Sequence, residues 1–279
     1  MVKKLLAEFF RSLFKIPFFA KKYFGFHKHI FAPYKLFSGI TTEIIYRKNI
    51  RLTVHLDDWI QQQVYFLGDY EKPEIDYISE YLKAGDVFVD VGANIGLFSL
   101  NASKIVGDQG KVVAFEAFSS NFKQFKNNIS INNFKNIISE NKAISNQNST
   151  IEILYNEKDH NIGMASAFLK DFTSREIVES TTLDEYASIH NISKIDLIKI
   201  DIEGGEYHAI LGMTKILSER KPQVIMEINH QTLQDSGHTE KEIIDLFGRF
   251  NYKIIRKLSN NSQSYNVVFG CRSEEGLFS

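Results

Sequence analysis

Asp90, Gly92, Asn94 and Gly96 fall within seven residues, between the apolar run 87–91 and the helix-spaced Phe98, Ala102 and Ile105. A buried strand that turns through glycines into a helix leaves backbone N–H groups and free space at the crossover, which suits a nucleotide-like ligand. Asp90 places a carboxylate there that would repel a pyrophosphate, so the turn favours a ligand carrying a cation. Glu116 closes the next apolar run, 20 residues beyond Gly96, where an acidic residue meets ribose hydroxyls in dinucleotide folds. Lys142-Ala143-Ile144 lies beyond a third run, at the usual resting place of an adenine ring. Asp201, with Glu203 and Glu206, follows a fourth run at 195–200; Glu227, Asn229 and His230 end a fifth at 224–228. A glycine turn can serve packing alone, and Glu206 is explained by favourable charge at a helix start. Together, these polar residues at successive run ends indicate a nucleoside-type site.

The elements that must position them alternate. Residues 50–56 have the period of a half-buried strand, and Ile75, Ile78 and Leu82 predict a helix after Pro73, ended by Gly85. Strand, helix and strand follow at 87–91, 97–106 and 111–115. A helix at 121–132 has Phe122, Phe125 and Ile129 on one face and Ser119 or Ser120 as cap. Strands are expected at 137–140, 151–155, 195–200 and 224–228, and a helix at 207–217. Thr239 and Glu242 form a capping-box signature. Residues 156–180 lack periodicity and read as a loop over the ligand side; with 230–238 they are expected to wall an acceptor pocket. Runs at 252–255 and 265–269, joined by the polar turn 259–262, read as a hairpin on the sheet edge. The fold class is α/β: a doubly wound, mostly parallel sheet with a C-terminal antiparallel hairpin and an N-terminal amphipathic helical segment. Its units are residues 1–40, an extension over 41–84, and a ligand-binding domain over 85–279.

The 279 residues carry a net charge of −1, which gives no nucleic-acid footprint. Residues 1–40 carry eight basic side chains against the single Glu8, a net charge of +7 that leaves −8 for the rest. Leu5, Leu6, Phe9, Phe10, Leu13 and Phe14 make one stripe and Lys4, Glu8, Arg11 and Lys15 the other, until Pro17. Charges recur too often for a membrane span of about 20 apolar residues, and no small-residue cleavage site marks a signal peptide. Two readings stand: an interfacial helix on an anionic membrane surface, or a helix packed on the main domain or a partner. The single cysteine, Cys271, excludes an internal disulfide and fits a reducing, cytoplasmic setting, with the basic arm peripheral on a membrane.

With those residues placed, the chain resembles the FkbM-type methyltransferases. The carrying segments are Asp90 to Gly96, Phe115-Glu116, Thr182-Leu183-Asp184 and, most specifically, Ile195 through Glu206. The likeness runs from Trp59, through Gly68-Asp69-Tyr70-Glu71, to Phe269. Two departures occur: Ala117 stands where the family usually has proline, and Gly205 where it usually has alanine. The resemblance implies a Rossmann-like class I methyltransferase fold and S-adenosyl-L-methionine as cofactor. Asp90, Gly92, Asn94, Gly96, Glu116, Ala143 and Asp201 would bind it, with Glu116 on the ribose hydroxyls and Ala143 beside the adenine. It also implies O-methylation of a hydroxyl on a saccharide or related natural product, a small-molecule or glycan acceptor. A neutral alcohol must lose its proton, and Asp201 and His230 are the candidates, one as base and the other orienting the acceptor.

Three rival readings carry less. Asp201, Glu203 and Glu227 could offer oxygens to Mg²⁺, but Asp201 and Glu203 share a side only if the strand continues past Ile200, against which Gly204 argues; no metal is expected. A nicotinamide dehydrogenase needs a glycine between Gly92 and Gly96 that is missing. A catalytically inactive membrane- or partner-binding adaptor would keep the fold without turnover.

Overall fold

The computed structural model describes residues 2–47, 49–156, 165–259 and 264–271. The N-terminal arm comprises α1 (Val2–Leu13), α2 (Pro17–Ala20), α3 (Tyr23–Phe26) and a π-helical turn, His27–Phe31. The extension follows with the hairpin β1 (Thr41–Tyr46) and β2 (Ile50–His55), then α4 (Trp59–Leu67) and α5 (Lys72–Tyr81). Asp58 caps α4 by accepting from the Gln61 amide at 2.9 Å, and left-handed Gly68 ends it.

The alternating part runs β3 (Val87–Val91), α6 (Leu97–Val106), β4 (Lys111–Phe115), α7 (Ser119–Asn132) and β5 (Ile137–Glu140). A small second sheet follows: β6 (Ala143–Ile144), β7 (Ser149–Tyr155) and β8 (Ser174–Thr181), in the order β6-β8-β7. Then come α8 (Leu183–Ile189), β9 (Leu197–Ile200), α9 (Glu206–Leu211), α10 (Thr214–Glu219) and β10 (Gln223–Asn229). The chain continues through α11 (His230–Asp235), α12 (Glu240–Gly248), β11 (Tyr252–Lys257) and β12 (Ser264–Cys271). Both halves of the capping box at Thr239 and Glu242 form at α12.

The main sheet has seven strands in the order β11-β12-β10-β9-β3-β4-β5. Neighbours from β10 to β5 are parallel, and β12 is antiparallel to both β10 and β11. The expected hairpin therefore exists, but its return strand is inserted beside β10, leaving β11 on the edge. Alternate residues serve opposite cores. Phe88, Val112, Ala114, Leu197 and Ile225 join one apolar cluster; Val89, Val113, Phe115, Ile198 and Val224 join the other. That alternation is what a sheet covered on both faces requires. Succession along the chain runs outward from β3 to β5, then restarts at β9 on the opposite side of β3. The reversal opens a crevice at the carboxyl ends of β3 and β9.

Several expectations shift. The helix expected over 207–217 is two helices, α9 and α10, interrupted at Gly212, where an added Cβ would lie 2.0 Å from the Ser145 carbonyl oxygen. α7 starts at Ser119 with Phe118 in the cap position and no side-chain cap. The segment 156–180 is not all loop: β8 pairs antiparallel with β7 in the register Ser149↔Ser180 to Tyr155↔Ser174. Its outward positions are polar or exposed, which hides the period. The turn expected at 259–262 lies largely outside the described residues.

The arm is half committed to the protein. Phe14, Tyr23, Phe31 and Phe37 are buried with Phe66 of α4 in the cluster that also holds Phe88 and Val112. The ring centroids of Phe31–Phe37 and Phe37–Phe66 are 4.8 and 5.0 Å apart. Each such ring contributes about 1.5–3 kcal/mol by burial. Packing on the main domain is therefore correct for this face. The stripe nevertheless splits: Leu5 and Phe9, placed with Phe14 by the sequence, are each 59% exposed. Among the described residues, no helix is long and apolar enough to cross a membrane.

Candidate active site

A cavity of about 520 Å³ lies over the carboxyl ends of β3, β4 and β9, within the range of small-molecule sites. Gly92, Asn94, Glu116, Ala143 and Asp201 all line it. Gly92 has φ +90°, and a Cβ there would lie 1.8 Å from the Asp201 carbonyl oxygen. Glycine thus lets β3 and β9 turn away at the crevice in contact with one another. The Asn94 amide donates to Glu116 Oε2 at 2.7 Å, and the Phe118 amide donates to Oε1 at 2.9 Å. These bonds aim the carboxylate, while burial pushes its pKa up to about 7 against their pull. Phe118, Ala143, Ile144 and Ile153 make the neighbouring wall apolar, as a flat base would need.

Asp90 and Gly96 stand behind the wall rather than on it. Asp90 is fully buried; its Oδ2 accepts from Ser99 Oγ at 2.6 Å, and its Oδ1 has no hydrogen-bond partner among the described residues. Burial raises its pKa. Gly96 begins α6, where a Cβ would strike the Phe125 ring at 2.2 Å; its work is packing.

Asp201 is brought to the far end of the cavity with Lys199, whose Nζ donates to Asp201 Oδ2 at 2.8 Å. Lys199 is buried on central β9 and lies over the Phe98 ring at 4.2 Å. Burial alone would lower its pKa, but Asp201, Glu71 and Asp90 outweigh that and hold it above the ordinary lysine value. Glu203 and Glu227 also line this end, and one ligand oxygen each from Asp201, Glu203 and Glu227 fall within 4.8 Å of one another. The objection that β9 must extend for Asp201 and Glu203 to meet is overturned. β9 stops at Ile200, and left-handed backbone at Glu203 (φ +51°) turns its side chain back. Burial, with mutual repulsion, raises the pKa of Glu203 and Glu227. Glu206 is not part of this group's chemistry: its carboxylate accepts from the Ile202 and Gly204 amides at 3.1 and 3.0 Å and closes the turn.

His230 does not reach the cavity, correcting its expected role. β10 ends at Asn229, whose side chain caps α11, and the chain turns His230 outward. Its side chain is 52% exposed, with Nδ1 3.8 Å from Glu240. Residues 230–238 supply none of the cavity wall. The expected loop contributes residues 165–168, and residues 157–164 lie outside the described set. Four wall residues had no role assigned from the sequence: His208, Lys199, Tyr70 and Glu71. His208, on α9, stacks on Phe168 at 6.0 Å, and burial followed by His238 lowers its pKa. Lys199 was detectable as a charge inside an apolar strand. Tyr70 and Glu71 come from the extension.

The Methyltransferase FkbM domain model matches residues 90–254. The chain belongs to the FkbM methyltransferase family. Among solved structures, the FkbM methyltransferase of Methylobacillus flagellatus KT is similar at 17% identity and a TM-score of 0.46, covering 76% of this chain and 55% of that one. A SAM-dependent methyltransferase from Aquifex aeolicus is similar at 15% identity and a TM-score of 0.46, covering 77% and 94%. Fibrillarin from Aeropyrum pernix, described with natively bound S-adenosyl-L-methionine, is similar at 13% identity and a TM-score of 0.42, covering 67% of each chain. No curated protein sequence matches. The cofactor of this FkbM methyltransferase is S-adenosylmethionine, and its residues fit that group. Glu116 offers lone pairs beside an apolar slot, and the acidic far end sets Lys199 among Glu71, Asp201, Glu203 and Glu227.

Proposed function

We propose that the protein transfers a methyl group to a hydroxyl of a saccharide or related natural product. The observation that carries this reading is Asp201 at the exit of buried β9, on the cavity wall with Glu203, Glu227, His208 and Phe168. Carboxylates accept hydrogen bonds from several hydroxyls at once, and flat rings beside them suit the C–H faces of a sugar. S-adenosylmethionine supplies the methyl on a sulfonium that an oxygen nucleophile displaces in line. Positioning of the two reactants contributes about 7–11 kcal/mol, and a base for the hydroxyl proton about 10²–10⁴-fold. Asp201 is that base, with Oδ2 held by Lys199 Nζ.

The arm supports a membrane-proximal acceptor. Its outer side exposes Leu5, Phe9, Phe18, Phe24 and Tyr34 among the lysines of a segment with net charge +7. Exposed rings interspersed with lysines suit an anionic lipid surface. Mass spectrometry of glycans from cells with and without the protein tests the function: loss of one methyl is expected, and unchanged methylation of every glycan contradicts it.

A further inference from the structure

The family match begins at residue 90, yet the cavity wall includes Tyr70 and Glu71 from the extension. Three observations single out Glu71. Its Oε2 is enclosed and accepts no hydrogen bond among the described residues. Its backbone is left-handed, φ 45° and ψ 52°, which costs a non-glycine residue about 1–2 kcal/mol. Strain and an unsatisfied acceptor in one residue need a compensating use. The third is a clamp on either side of it. Arg47, just after β1, donates through Nη2 to Asp69 and through Nη1 to Asp76 at 3.0 Å, and Tyr46 Oη donates to Asp69 at 3.3 Å. The segment 69–76 is thereby pinned at both ends, with Tyr70 and Glu71 directed inward.

We propose that Glu71 binds the ammonium of the cofactor's amino-acid end, and that Arg47 is the positioning residue that holds it there. This rests on the methyltransferase reading above. The enclosed oxygen lacks a donor among the described residues, so a ligand suited to it brings an N–H or O–H. A sulfonium brings neither, whereas an ammonium brings three N–H groups. Lys199 shares the wall and interacts electrostatically with Glu71, so a zwitterionic amino-acid end meets both charges it needs. The extension is then part of the binding apparatus, although it lies outside the matched domain.

Titration calorimetry with S-adenosylmethionine and S-adenosylhomocysteine tests this, because both carry the ammonium and only the first the sulfonium. Glu71→Gln is expected to weaken both by about tenfold to a hundredfold, the worth of a hydrogen bond to a charged group, with an unchanged melting temperature. Arg47→Lys keeps the charge but cannot span both carboxylates. It is expected to weaken both ligands in the wild-type background and to add nothing in the Glu71→Gln background. Unchanged binding of both ligands by Glu71→Gln overturns the proposal, even with turnover lost, as does weakened binding of S-adenosylmethionine alone. An additive Arg47→Lys effect overturns the positioning role. If the wild-type protein binds neither ligand, it is the methyltransferase reading itself that fails.

Discussion

Gly92→Ala is the smallest change that tests how the crevice is built. The new Cβ would lie 1.8 Å from the Asp201 carbonyl oxygen and 2.9 Å from its carbonyl carbon, against roughly 3.3–3.6 Å for a close C···O contact. Both atoms are backbone, so the ends of β3 and β9 must separate by about 1.5 Å. That strains the bond from the Asp201 amide to the Val91 carbonyl, now 3.0 Å. Left-handed backbone at alanine costs about 1–2 kcal/mol, overpacking about 1–3, and the weakened hydrogen bond about 0.5–1.5. The sum, roughly 2.5–6.5 kcal/mol, is a large part of a typical stability of about 5–15 kcal/mol. At about 2–4 °C per kcal/mol for a chain of this order, melting followed by circular dichroism should fall by roughly 5–25 °C. Calorimetry below the transition should show S-adenosylhomocysteine binding lost, because Asp201 and the Gly92 turn move together. A variant melting within about 2 °C of wild type with unchanged affinity would refute the close contact.

Three further outcomes follow. Asp201→Asn should lower turnover by about 10²–10⁴-fold, while His230→Ala, outside the cavity, should retain wild-type turnover; steady-state kinetics with a methyl acceptor checks both, and the reverse pattern contradicts the assignment. The ligand-free protein should lose stability as pH rises from about 4.5 to about 7. Glu116 and Glu206 each have a pKa raised to about 7 by burial, so their contribution is full below the unfolded value and gone once the folded groups ionise; melting that rises through this window contradicts the buried placement. Replacing Phe9 and Phe18 with serine should leave melting unchanged and abolish sedimentation with anionic vesicles, whereas Phe14→Ala should cost about 3–5 kcal/mol; equal vesicle binding by the double variant removes the membrane role.

The doubly wound, mostly parallel sheet was legible because β3, β4, β9 and β10 are short apolar runs with a polar residue at or next to their ends, alternating with helical spacing; the strand order, with β12 between β10 and β11, was not. Glu116 and Asp201 could be placed for the same reason: each follows a buried strand directly. His230 failed the same rule because Asn229 both ends β10 and caps α11, a reversal of direction that apolar spacing does not encode. β8 was hidden because only Val178 and Ser180 of its eight residues are buried, leaving too little apolar alternation to read. The meeting of Asp201, Glu203 and Glu227 depends on a left-handed residue at Glu203, which a non-glycine side chain gives no reason to expect. Tyr70 and Glu71 reach the cavity through the Arg47 clamp, a long-range ion pair invisible to local pattern.

The central claim is that acidic side chains along one edge of the parallel sheet receive a positively charged methyl donor. A crystal structure of the full chain with S-adenosylmethionine tests it most directly. The ribose is expected on the Glu116 carboxylate, the adenine beside Ala143, and the sulfonium facing Asp201. An adenosyl group bound anywhere away from the ends of β3 and β4 would contradict it.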